Sequence, residues 1–234
     1  MVNPEVVLVE FLREHLTDPR ARDTTTETQT FSGDGSTTTF SLTIPGSGNH
    51  LSAITALTVG GTAQEKWAEY YIDLQNKQII FYTAPASGTE NISVTFKYGT
   101  NWIDFRRASD KENAGVYQDE TDWPRVIITL NGGPSNPLGQ HGADQEDVLL
   151  WTVEARAKED YYPTINGTKY NSVALCDYLV RQAKKYLRTD IEDLYPELYD
   201  FRVLTQPRSL PFDKRIQCDT SAMDLQLRGL NTGE

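Results

Sequence analysis

Between Phe31 and Tyr98 the side chains repeat with a period of two, and turn residues interrupt them at near-regular intervals. A two-residue period places successive side chains on opposite faces of an extended chain, so this stretch can fold only as short strands. Thr38, Phe40 and Leu42 share one face, with Thr39 and Ser41 on the other. Ile54 to Val59 is a strand ending in the hairpin signal Gly60-Gly61. Tyr70 to Leu74 and Gln78 to Tyr82 form a second hairpin about Gln75-Asn76-Lys77, and Ile92, Val94, Phe96 and Tyr98 alternate along a closing strand. Gly33-Asp34-Gly35, Pro45 to Asn49 and Ala84 to Gly88 supply turns. The expectation is a small β-sandwich or barrel.

The flanks carry a different period. Pro4 and Glu5 after Asn3 mark a helix start, and Val6, Leu8, Val9, Phe11, Leu12 and Leu16 line one face until Thr17-Asp18-Pro19 ends it. Arg20 to Thr30 reads as a polar, Thr-rich connector, and Asp104 to Asp122 as an exposed, charged one. Trp123 to Leu130, Asp147 to Arg156, Tyr199 to Leu204 and Ile216 to Leu227 read as strands. Val173, Cys176, Leu179, Val180, Ala183, Tyr186 and Leu187 make a helical stripe that Asn171 or Ser172 can cap, with Lys184, Lys185 and Arg188 near its negative end. Together these predict an α+β fold. Residues 1–27 and 103–234 form a discontinuous two-layer α/β sandwich, with helices on a small antiparallel sheet, and 28–102 are an inserted all-β sandwich or barrel.

Composition narrows the function. The chain has 234 residues, 22 basic against 33 acidic, and a net charge of -11, which opposes sequence-independent wrapping of DNA. That acidity suits an ordinary soluble protein or one adapted to high salt. Cys176 and Cys218 are read as free thiols, and they cannot form a zinc site with the scattered His15, His50 and His141. No apolar run approaches the roughly 18 residues a membrane-spanning helix needs. Met1 to Glu5 has no classical export signal, so no membrane partner is expected.

Candidate chemistry is sparse. Gly33-Asp34-Gly35-Ser36 lacks the lysine of a phosphate loop and the spacing of a calcium loop, and reads as a turn. Gly132-Gly133-Pro134 fits no nucleotide fingerprint. His141 with Asp144 and Glu146, Glu154 with Arg156, and Asp190 to Asp193 read as solvated surface charge rather than acid–base pairs. Asn166-Gly167-Thr168 has the spacing of a glycosylation acceptor. Tyr70-Tyr71 and Tyr161-Tyr162 each place one ring inward and one outward, and Trp67 with Tyr70 is the candidate aromatic platform for a sugar. No enzymatic activity, metal or cofactor is expected.

The run Phe31-Ser-Gly-Asp-Gly-Ser-Thr-Thr-Thr-Phe40, with Leu57-Thr-Val-Gly-Gly61, Tyr71-Ile-Asp73, Ala84-Pro-Ala-Ser-Gly88 and Ile92-Ser-Val94, resembles β modules of virion proteins of tailed double-stranded DNA viruses. The flanks resemble tail-terminator or tail-completion proteins: the helix Val6 to Leu12, the strand Asp147 to Arg156, the helix Tyr170 to Leu187 and closing strands through Leu227. That resemblance implies a virion neck protein with no catalytic residue. It would form a homo-oligomer, a six-subunit ring that caps the tail tube and joins it to the neck and connector proteins. DNA would pass through its channel without specific binding. Members of that family usually lack the insert. The segment Asn131-Gly132-Gly133-Pro134-Ser135-Asn136-Pro137-Leu138-Gly139-Gln140 is expected to be a flexible loop that docks a neighbouring ring. Alternatives are a head-closure stopper or connector adaptor of the same neck, or a carbohydrate- or cell-binding virion module.

Overall fold

The computed structural model describes residues 4–74, 76–107, 123–133, 135–138, 144–189, 198–213 and 218–231. These are mostly strand, with two helices and no barrel among them. The chain divides into two compact units, Met1–Asn101 and Trp102–Glu234.

In the first unit, helix α1 spans Pro4–His15, so proline occupies the first helical position, where its missing N–H costs nothing. Asn3 lies outside the described residues. Leu8, Val9, Phe11, Leu12 and Leu16 are buried. Asp18 then ties the exit turn, accepting from the backbone N–H groups of Arg20 and Arg22 and pairing with the Arg22 guanidinium at 2.8 Å.

The strands are β1 (Thr25–Gly33), β2 (Thr39–Ser41), β3 (His50–Val59), β4 (Thr62–Ala63), β5 (Tyr70–Asp73), β6 (Gln78–Phe81) and β7 (Gly88–Gly99). They form two antiparallel sheets, ordered β1-β7-β3-β4 and β2-β6-β5. One core unites the sheets: Phe40 from β2, Tyr70 and Ile72 from β5, and Ile79 and Phe81 from β6 meet Leu51, Ile54 and Leu57 from β3 and Ile92, Val94 and Phe96 from β7. The expected hairpins and turns are therefore present, in a sandwich.

Two expectations change here. Thr25 to Thr30 is not a connector but the first part of β1, paired with β7 from Thr25↔Tyr98 to Phe31↔Ile92. It is an edge strand, and Gln29 screens that edge: its amide donates to the Thr43 carbonyl at 2.5 Å and accepts from the Thr43 N–H at 3.0 Å. Second, α1 falls within the compact unit Met1–Asn101. It packs on β3, which is why Leu51, Ser52, Ala53 and Ile54 are buried in succession instead of alternating. The sandwich core takes one face of β3, and α1 covers the other.

The second unit contains β8 (Ile103–Arg107), β9 (Arg125–Gly132), β10 (Ser135–Leu138), β11 (Asp144–Lys158), β12 (Thr164–Ile165), β13 (Thr168–Lys169), α2 (Ser172–Thr189), β14 (Leu198–Val203), β15 (Arg208–Asp213) and β16 (Cys218–Asn231). Seven strands make one sheet along β14-β16-β11-β9-β8, with β10 also on β11 and β15 also on β16. All pairs are antiparallel except β8 with β9, so the sheet is mixed, where an antiparallel one is the expectation. Asp104 to Arg107 belong to β8, and the rest of that expected connector, 108–122, lies outside the described residues. β11 and β16 pair without a break from Gln145↔Asn231 to Lys158↔Cys218.

Helix α2 packs on β11 and β16. Asn171 caps it, its side-chain oxygen accepting from the Ala174 N–H at 2.8 Å. The buried stripe is Ser172, Leu175, Cys176, Leu179, Val180, Ala183 and Leu187. Val173 shares that stripe by spacing alone, but it is 46% exposed. Two helices on one sheet is thus corrected to one helix in each unit.

Candidate interaction surfaces

The expected docking loop is largely strand. Asn131 and Gly132 end β9, Ser135–Leu138 form β10, and Pro134, Gly139 and Gln140 lie outside the described residues. Between Trp151↔Leu130 and Leu150↔Gly132 the register slips, leaving Asn131 as the extra residue of a bulge. Gly132 takes a φ of 81°, and a Cβ on Gly133 would stand 1.5 Å from the Val148 carbonyl oxygen. The glycine pair is therefore the means by which the chain passes from β9 to β10 while hugging β11. Pro137, which has no N–H to give a ladder, sits in this short flanking strand.

The bulge anchors a polar row across the sheet. Asn131 donates to Thr152 Oγ1 at 2.8 Å, and Thr152 donates to Asp224 Oδ1 at 2.9 Å. Asp224 Oδ2 holds Arg208 at 2.9 Å, and Thr205 Oγ1 accepts from the Asp224 N–H and from Arg208. Such a satisfied chain fixes strands relative to one another.

The remaining sequence candidates are structural or undescribed. Asp34 accepts from the Thr37 N–H and hydroxyl and from the Ser36 N–H, which holds its carboxyl well below the usual range and closes a turn. Glu154 pairs with Arg156 at 2.7 Å. Asp144 and Glu146 belong to β11, whereas His141 and Asp190 to Asp193 lie outside the described residues. Asn166 and Gly167 form the tight turn of the β12–β13 hairpin, with φ of 49° and 78°. Cys176 and Cys218 are buried and not joined in a disulfide; burial pushes the Cys176 thiol up, and its Sγ donates to the Asp219 carbonyl at 3.2 Å. No group of three or more His, Cys, Asp or Glu residues that could hold a metal occurs among the described residues.

The proposed sugar platform fails on burial. Trp67 is 9% exposed and Tyr70 3%, so neither offers a ring face to a ligand. Tyr71 is the outward ring of its pair, its centroid 5.6 Å from that of the half-exposed Tyr82 with the two rings tilted by 39°. Tyr162, over which Lys169 sits, is the outward ring of the other.

Two arrangements escape sequence reading. Lys66, beside Trp67, places Nζ 2.9 Å from Glu10 Oε1 and 2.8 Å from Glu14 Oε2 of α1. Glu10 is fully buried, and neither of its oxygens has a partner in hydrogen-bonding geometry. Burial raises the Glu10 pKa against the pull of Lys66, while burial of Lys66 is outweighed by the two carboxylates, which hold it above the usual lysine value. No local sequence signal joins residues so far apart.

The other is on α2. Arg181, Lys184, Lys185 and Arg188 line one open groove, spaced i, i+3, i+4 and i+7 on the side away from the buried stripe. The sequence does show this spacing once the apolar stripe is phased correctly. No protein-family model matches the chain, and no curated protein is significantly similar to it in sequence.

Proposed function

We propose that the chain is a structural subunit of a tailed-virus neck: a tail-terminator-like protein whose homohexameric ring caps the tail tube, joins it to the head–neck connector and surrounds the DNA channel. The observation that carries this reading is the order of elements in Trp102–Glu234. A long strand, β11, leads to an amphipathic helix, and strands ending in β16 return to pair with β11 along its length. That succession is the one through which the flanks resemble tail terminators. In this reading α2 and the sheet beneath it are the ring-forming α/β layer.

The β9–β10 junction takes the docking role first expected of a loop. A bulged, proline-bearing strand is a shaped and rigid contact rather than an adaptable one. Its polar row to Asp224 would hold it in place against a neighbouring ring. A ring requires one head-to-tail interface repeated around an axis, which a single type of subunit supplies economically.

Native mass measurement of the purified chain tests the reading, with an assembly of six copies expected, alone or on addition of the tail tube protein. A twelvefold assembly would replace it with a connector adaptor. A chain that stays monomeric at all concentrations and in the presence of the tube protein would remove it.

A further inference from the structure

The Asn166-Gly167-Thr168 motif has no role in the proposed assembly, yet its setting favours a reaction of its own. Asn166 and Gly167 are the two loop residues of the β12–β13 hairpin, with φ of 49° and 78°, and both are exposed. The hairpin is a separate two-stranded sheet with the pairs Thr164↔Lys169 and Ile165↔Thr168. The Tyr170 N–H closes its base by donating to the Pro163 carbonyl at 2.9 Å. Ile165 is half-buried, and the other residues from Thr164 to Lys169 are exposed. So small a hairpin, joined to no larger sheet, opens at low cost.

Asparagine side chains elsewhere are engaged. Asn49 donates to the Pro45 carbonyl at 2.7 Å, Asn76 to Asp73 at 2.8 Å and Asn91 to the Ala86 carbonyl at 2.8 Å. Asn101 accepts from Arg13 at 2.6 Å, and Asn171 caps α2. The other described Asn-Gly pair, Asn131-Gly132, has its amide on Thr152 Oγ1 at 2.8 Å, at the bulge between β9 and β11. The Asn166 side chain has no such partner among the described residues.

Gly167 completes the arrangement. The backbone nitrogen that follows an asparagine can reach the asparagine's Cγ and close a five-membered ring, and a side chain on the following residue obstructs that approach. Glycine has none, and no heavy atom lies within 4 Å of where a Gly167 Cβ would stand. Gly167 also belongs to the loop rather than to a rung of the ladder.

We propose that Asn166 is a site of spontaneous deamidation and backbone isomerisation. The Gly167 nitrogen gives its proton to solvent and attacks Asn166 Cγ. The Cγ–Nδ2 bond breaks, and the amide nitrogen takes up a proton and leaves as ammonia, which creates a cyclic imide. Water then opens the imide. Breaking its bond between nitrogen and Cγ gives aspartate, whereas breaking the bond between nitrogen and the main-chain carbonyl carbon gives isoaspartate. The sum is asparagine and water in, acid and ammonia out, with no oxidant or enzyme. The two products differ at the turn. Asp-Gly suits the same positive-φ loop as Asn-Gly, so aspartate keeps the hairpin and adds one negative charge. Isoaspartate carries the main chain through Cβ, which lengthens the two-residue loop and disturbs the Ile165↔Thr168 register.

The test incubates the intact folded chain in mildly alkaline buffer and maps its tryptic peptides by mass spectrometry, with isoaspartate read by enzymatic methyl labelling. Trypsin releases Glu159–Lys169, whose single asparagine is Asn166. In the folded chain Asn166 should convert at least about tenfold faster than Asn131, because freeing Asn131 breaks a hydrogen bond and part of a ladder. In urea, where neither pair is held by the fold, the two rates should agree within about twofold. The Asn166→Gln variant, which would have to close a six-membered ring, should leave this peptide unchanged over the same incubation. An Asn166 that stays intact in the folded chain while the urea-unfolded chain converts would overturn the proposal. So would an Asn131 that keeps pace in the folded chain, or an aspartate product free of isoaspartate.

Discussion

Replacing Lys66 with methionine isolates the buried Glu10 carboxylate. Lys66 Nζ is within 3 Å of both Glu10 and Glu14, but the two acids differ in surroundings: the Glu10 side chain is 1% exposed and that of Glu14 35%. At an effective dielectric of about 20, a contact of this length is worth roughly 6 kcal/mol of attraction, most of which offsets the cost of taking the ions out of water. Removing only the cation leaves Glu10 buried with no counter-charge, which costs about 3–5 kcal/mol at neutral pH. Glu14→Gln, which alters a group with access to water, should cost under about 1 kcal/mol. The double variant Glu10→Leu with Lys66→Met removes both ions and should return to within about 1–2 kcal/mol of the intact chain.

The pH dependence follows from the same groups. Burial raises the Glu10 pKa in the folded state, so its protonated form favours folding. That contribution is complete below the unfolded value of about 4.3 and is lost as pH rises through the folded value. Without Lys66 the rise is larger, so the Lys66→Met deficit should grow between pH 4 and pH 7. Urea unfolding followed by tryptophan fluorescence reads the effect, because Trp67 adjoins the triad. A Lys66→Met change below about 0.5 kcal/mol at pH 7, or a double variant no more stable than Lys66→Met, would refute the argument, since breaking a buried pair should cost several times that.

Gly133→Ala drives a methyl group into the Val148 carbonyl oxygen and should destabilise the β9–β10 junction by about 2 kcal/mol or more, measured by urea unfolding; a neutral result would mean the junction is not held against β11. Asn171→Ala removes the α2 cap and should cost about 1 kcal/mol, with Asn171→Asp close to neutral, on the same assay. Cys176 and Cys218 should resist a thiol reagent at pH 8 until the chain is unfolded; rapid labelling of the native chain would contradict their burial and the raised Cys176 thiol pKa.

How far the sequence reveals this molecule depends on whether a segment faces apolar neighbours on one side only. The strands β5, β6 and β7 do, and Ile72, Ile79, Ile92, Val94 and Phe96 show it as alternation. The edge strand β1 does not: Thr25 to Thr30 is exposed or half-exposed throughout, so the period of two carries no hydrophobic contrast to detect. The helix α1 announces an apolar face but not its partner. The signal for that partner is on β3, where the buried run Leu51 to Ile54 defies alternation because it is covered on both sides. On α2 a phase error at Val173 blurs the opposite, cationic face, and Lys66 is invisible because its partners lie more than fifty residues away. Of the expected docking segment, the place in the chain is legible but not the form, because the Gly132-Gly133 pair that suggests a loop instead bends one strand into the next.

The unbroken register of β11 with β16 has a mechanical meaning. Fourteen consecutive residue pairs, from Gln145↔Asn231 to Lys158↔Cys218, extend about 45 Å at the usual strand rise, well beyond the roughly 27 Å of α2. A pull along the strands stresses all of those ladder hydrogen bonds at once, whereas a pull across them opens the ladder one rung at a time. The unit is thus stiff in one direction and weak in the perpendicular one. A subunit built this way withstands tension only when its long strands lie along the line of force.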